Sequence, residues 1–95
     1  MKIKIRFIGP FSYIIGLREV ELAAEEGLTL KQLFVKLDME LGQRFSKNIT
    51  RQLAIHQELQ QLILVNGILI SSKGGLETRL NDGDVISFVP PMEGG

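Results

Sequence analysis

From Lys2 to Phe7 the chain alternates polar and apolar residues, K-I-K-I-R-F, the period-two pattern of a strand half-buried on one face. Ile3, Ile5 and Phe7 point inward, and Lys2, Lys4 and Arg6 point outward. Ile8 breaks the alternation by adding an apolar side chain to the outer face. Gly9-Pro10 ends a strand expected over Lys2–Ile8, and "FSYIIG" reads as a short helical turn closed by Gly16. Leu17–Ala23 resumes the alternation and should form a hairpin with the first strand.

At "LTLKQLFVKLDMEL" the period changes. Leu30, Leu33, Phe34, Leu37 and Leu41 fall on one helical stripe. Thr29 stands at the N-cap, with Gln32 placed to complete a capping box, and Gly42 follows as a stop. This is the main helix. The next stretch, Gln43–Gln61, is polar and glutamine-rich, with Phe45, Ile49, Leu53 and Leu59 loosely at helical spacing. It reads either as an extra helix or as a long ordered loop. It holds the single histidine, His56, with only Glu58 close in sequence, so a surface or packing role is expected there.

"LILVNGILI" then places two apolar runs around Asn66-Gly67, the pairing that suits a type I′ hairpin turn with positive φ at both central residues. "LNDGDVISFV" supplies another turn at Asn81–Asp84, with Gly83 at positive φ, and a last strand over Val85–Val89. Two strands, a helix, an extra segment and further strands describe an α+β domain: a mixed sheet of four to five strands with the helix packed diagonally across one face. One helix cannot cover both faces, so the second should be open and polar. It is not wholly so. Leu62–Val65 is apolar at all four positions, so one of its pairs faces out with Ile8 and Val89. Such a patch, rimmed by Lys4 and Arg6, suits a partner surface; the competing expectation is an edge buried beneath Gln43–Gln61.

Composition narrows the chemistry. The chain of 95 residues is 44% hydrophobic and 23% charged, as expected of a single globular domain. Eleven basic and eleven acidic residues cancel, leaving no net field to draw nucleic acid or anionic lipid. Neither nucleic acid nor membrane is an expected partner. There is no cysteine, which removes disulfides, thiolate metal sites and cysteine nucleophiles and leans toward a reducing, cytoplasmic compartment. No phosphate loop, nucleophile elbow or dinucleotide fingerprint occurs. No bound cofactor and no metal are expected.

What remains is "FVPPMEGG", Phe88–Gly95. Pro90 and Pro91 lack the N–H that a sheet ladder needs, so the strand must stop at Val89. A Pro-Pro step is stiff, and the six residues Pro90–Gly95 can project up to about 20 Å at roughly 3.3 Å each. Gly94 and Gly95, without side chains, can thread a narrow channel. What such an arm presents is a carboxylate at Gly95. A carboxylate is a poor electrophile, but it can attack the α-phosphate of ATP to give an acyl-adenylate with AMP as leaving group. A sulfur or amine nucleophile can then take the acyl group. This sequence offers nothing to bind ATP, so an activating partner must use it. The chain is divided accordingly into a domain over 1–89, with 43–61 as its extra segment, and an extended tail over 90–95.

The order of elements, the turn "VNG", the run "LNDGDVISF" and the ending "PPMEGG" resemble the MoaD/ThiS family of ubiquitin-like sulfur carriers, which have a β-grasp fold. The likeness covers most of the chain, is strongest over Leu62–Gly95, and its proline-containing end is more similar to the MoaD branch. The resemblance implies activation by a ubiquitin-activating-type adenylyltransferase (MoeB/ThiF-like) and sulfur supplied by a sulfurtransferase. It further implies a Gly95 thiocarboxylate that delivers sulfur in molybdopterin biosynthesis, bound to a MoaE-like large synthase subunit. On that pattern the protein is a carrier and not itself an enzyme. Gly95 is the reacting residue and Gly94 gives clearance. Pro90, Pro91, Met92 and Glu93 enter partner sites, and Ile8 and Val89 belong to the docking surface. Gln43–Gln61 is longer than in compact members, a departure that bears on which pathway is served. The alternatives are a protein modifier joined to lysines through Gly95, a ThiS-like carrier for thiamin thiazole synthesis, and a β-grasp binding module whose glycines are incidental.

Overall fold

A computed structural model describes residues 1–90, with the side chains of 54, 57 and 61 left aside. The first hairpin forms as the alternation requires. Strand β1 (Lys2–Phe7) pairs antiparallel with β2 (Glu19–Ala23), Ile5 opposite Val20, and buries Ile3, Ile5 and Phe7. Between them lies the short helix α1 (Pro10–Ile15), closed by Gly16 in the left-handed region at φ 86°. Helix α2 (Leu30–Leu41) begins with the expected capping box: Gln32 N donates to Thr29 Oγ1 at 3.2 Å and Thr29 N donates to Gln32 Oε1 at 2.9 Å. Its stripe Leu30, Leu33, Phe34 and Leu37 is buried.

The remaining strands are β3 (Ile63–Val65), β4 (Ile68–Leu69) and β5 (Val85–Phe88). The sheet order is β2-β1-β5-β3-β4, with β1 and β5 parallel at the centre and every other pair antiparallel. This mixed five-stranded sheet with a helix across one face is the β-grasp architecture. The β3–β4 turn has φ 52° at Asn66 and 82° at Gly67, and Gly83 has φ 86° before β5. Asn66 also fastens that turn to β5. Its side-chain amide donates to Asp84 Oδ1 at 2.8 Å, and its Oδ1 accepts from Val85 N at 2.9 Å.

The long segment is neither one regular helix nor a loop. Short α-helical stretches α3 (Gln43–Phe45) and α4 (Arg51–Ile55) flank a π-helical turn, Ser46–Thr50, and a 3-10 turn follows at Gln57–Leu62. Phe45, Ile49 and Leu53 recur every fourth residue, which in a regular helix would carry them around by about 40° per step. The wider π turn offsets that drift, and all three are buried. They extend the inner core. Phe45 meets the rings of Phe7, Phe34 and Phe88 at centroid distances of 6.5, 5.5 and 5.8 Å, and Thr50 Oγ1 donates to Asp38 of α2 at 2.8 Å. The expectation of an edge buried beneath this segment on the outer side therefore fails, because Phe45, Ile49 and Leu53 go to the helix side of the sheet.

Candidate docking face and tail root

The outer face divides into a charged half and an apolar half. In the charged half, β1 and β2 place Lys2 3.7 Å from Glu21, and Lys4 and Arg6 3.8 and 3.9 Å from Glu19. These cross-strand pairs are solvent-exposed, so each contributes little to stability. They also pair the basic row with carboxylates of β2.

The apolar half follows from strand register. Leu64 lies opposite Ser87 on one side and Leu69 on the other, and Val85 lies beside Lys4. Because Ile63, Val65, Ile86 and Phe88 are buried on the inner side, Leu64, Val85 and Val89 fall on the outer side, each half-buried, whereas Leu62, the last residue of the 3-10 turn, lines a hollow with Ile49, Leu53 and Phe88. Ile8 and Leu69 are 42% and 38% exposed. Alternation predicts Ile8, Val89 and one pair of Leu62–Val65 on this face; of that pair Leu64 lies there, and Leu62 does not because the 3-10 turn ends on it before the strand begins. Leu69 and Val85 went unremarked, although the two-residue turn at Asn66-Gly67 places Leu69 opposite Leu64, and alternation with Ile86 turns Val85 outward.

At one end of this patch the chain leaves the sheet. Ile8 N donates to the Phe88 carbonyl and Val89 N to the Leu62 carbonyl, both at 2.9 Å. The ladder thus makes its last bond at Val89, one residue past the regular part of β5, as the following proline demands. Ile8 and Val89 are brought together there, with Pro90 next in line and half-buried. Pro91, Met92, Glu93, Gly94 and Gly95, the other expected site residues, lie outside the described residues.

Little else among the described residues offers chemistry. No group of three or more His, Asp or Glu side chains could hold a metal, and every buried side-chain N or O atom has a hydrogen-bond partner. His56 is exposed, 3.5 Å from Glu58. No helix is long and apolar enough to cross a membrane.

Comparison with known proteins places this architecture. The model of the ThiS family matches residues 5–95. A proposed sulfur carrier protein of Archaeoglobus fulgidus is 35% identical over 95 residues, which is 100% of both chains. Small archaeal modifier protein 3 of Haloferax volcanii is 25% identical, again over 100% of both. Among solved structures, a chain in the complex of subunits 1 and 2 of the molybdopterin-converting factor from Helicobacter pylori superposes with a TM-score of 0.65. It is 29% identical and covers 100% of each chain.

Proposed function

This chain belongs to the ThiS family, and on that premise we propose that it is a sulfur carrier whose reacting group is the carboxylate of Gly95. The observation that carries the reading is positional. The apolar half of the outer face ends at the point where the chain leaves the sheet, with Ile8 and Val89 at the root of the arm Pro90–Gly95. A partner that docks on the patch therefore holds the arm's base while the arm reaches its active site. Ordering a segment costs about 1–2 kcal/mol of backbone entropy per residue, and burial of the patch offsets that cost.

The chemistry runs in three steps. A Gly95 carboxylate oxygen attacks the α-phosphate of ATP on a ubiquitin-activating-type adenylyltransferase, and pyrophosphate leaves. The terminal sulfur of a sulfurtransferase persulfide displaces AMP to give an acyl disulfide, and a partner thiol then attacks its other sulfur, so that the S–S bond breaks, the Gly95 thiocarboxylate leaves and the two partner sulfurs end as a disulfide. The thiocarboxylate sulfur attacks an electrophilic carbon of the acceptor, and water releases the acyl group to restore the carboxylate. On this reading the chain supplies only the reacting carboxylate and its partners supply the ATP site and the sulfur, so it acts as carrier and its partners as catalysts.

The finer reading is a molybdopterin synthase small subunit docked to a MoaE-like large subunit. The Helicobacter chain supports it, being similar over its whole length and seen in a two-subunit complex. A second reading has its own support in the likeness to small archaeal modifier protein 3: Gly95 joined to lysines of other proteins. Intact-mass spectrometry of the protein isolated from its own cells tests both. A Gly95 thiocarboxylate, 16 Da heavier than the carboxylate by replacement of oxygen with sulfur (about 32 against 16 Da), is the expected result. Gly-Gly remnants on target lysines establish the second reading, and an unmodified carboxylate in cells with the pathway active overturns both.

A further inference from the structure

Gly9 carries more than the end of a strand. Its backbone stands at φ 59°, ψ −131°, a conformation open to glycine and strained for residues with a Cβ. A Cβ placed there would lie 3.4 Å from Cγ and 3.8 Å from Cδ of Pro90. The bare Cα of Gly9 thus faces the ring of the first residue of the arm.

Both partners are held from behind. The Gly9 carbonyl accepts from Ser12 N at 3.0 Å and Ser12 Oγ at 2.8 Å, which fixes it at the head of α1. On the other side Val89 N donates to the Leu62 carbonyl at 2.9 Å. Pro90 itself has no N–H and a locked φ, so it cannot donate to the ladder as Val89 does. Its direction depends on Val89 and on what its ring rests against.

We propose that Gly9 is a positioning residue for the arm: it seats the Pro90 ring and so directs the chain as it leaves the sheet toward the partner's active site. The functional half of this inference rests on the carrier reading, whereas the seat itself can be tested without it. Gly83 provides the control. It has φ 86° and nothing within 4 Å of a placed Cβ, so alanine there strains the backbone without touching the arm.

The test uses the full chain as wild type, Gly9→Ala, Gly83→Ala, Pro90→Ala and the Gly9→Ala/Pro90→Ala double variant, at a temperature where all are folded by circular dichroism. The first readout is structural. NOEs between Gly9 Hα and the Pro90 ring protons are expected in wild type, with Pro90 resonances shifted by Gly9→Ala and not by Gly83→Ala. The second is pyrophosphate release on the adenylating partner with ATP. Gly9→Ala, whose methyl displaces the ring by at most a few tenths of an ångström, should lower kcat/KM about two- to tenfold, while Gly83→Ala leaves it near wild type. With the ring removed, the Cβ at position 9 should add no further loss, so the two substitutions are non-additive. Absent NOEs, equal losses for Gly9→Ala and Gly83→Ala, or strict additivity overturn the proposal. If wild type is not adenylated, the carrier reading fails, and the NOEs and Pro90 shifts still decide the seat.

Discussion

Phe45 meets Phe88 edge-on, with ring centroids 5.8 Å apart and planes at 79°. One ring belongs to the long segment and the other to the strand that leads into the arm, so the segment braces the element on which the proposed chemistry depends. Phe45→Ala should therefore destabilise the fold by about 3–5 kcal/mol, the usual cost of emptying a buried phenyl site. Urea unfolding checks this. A loss below about 1 kcal/mol, typical of surface substitutions, would show that the segment is an appendage and not part of the core.

Asn66 acts twice on the start of β5, through Asp84 and through Val85 N. Asp84 is only 8% exposed, so loss of a donor leaves its carboxylate less well satisfied. Asn66→Ala should cost about 1–3 kcal/mol, partly because position 66 also holds φ 52°. Asn66→Gly, which relieves the strain but lacks the same two bonds, separates the two causes in the same unfolding measurement.

The capping box of α2 should be worth about 1 kcal/mol. Thr29→Ala removes the acceptor for Gln32 N, whereas Thr29→Ser retains it. The serine variant is expected within a few tenths of wild type and the alanine variant below it by thermal unfolding, with no change in partner binding.

Ile8 is 42% exposed on the outer face, so Ile8→Ser should alter stability by no more than about 0.5 kcal/mol. Its effect should appear in docking. Calorimetric titration with the adenylating partner is expected to show at least a tenfold weaker Kd, about 1.4 kcal/mol. Unchanged affinity would remove Ile8 from the docking surface.

The elements legible in the sequence were those written in local chemistry. Thr29 and Gln32 announce a helix start because their bonds span three residues, and Asn66-Gly67 announces a turn because positive φ excludes most other residues. The inward set Ile3, Ile5, Phe7, Ile86 and Phe88 followed from alternation alone. Phe45, Ile49 and Leu53 gave only a loose rhythm, since a strict four-residue spacing drifts around a regular α-helix by about 40° per step and is brought into line here by a π turn. Ile70 closed the apolar run "ILI" but turns into a 3-10 helix and is buried there, which shortens β4 to two residues. Gly9 could not be tied to Pro90 from sequence, because the two lie at opposite ends of the chain and meet only through the parallel pairing of β1 with β5.

That pairing has a consequence for how the protein is made. β5 lies between β1 and β3, yet a ribosome delivers it after every other strand. Until Val85–Phe88 inserts, β1 and β3 each present an unpaired edge and the phenyl cluster lacks Phe88, and exposed edges of this kind invite aggregation. A chain cut short before Phe88 cannot close its core and is left to chaperones and proteases. Native folding thus doubles as a check on synthesis: a molecule that passes it has been translated through the strand that leads directly into the arm.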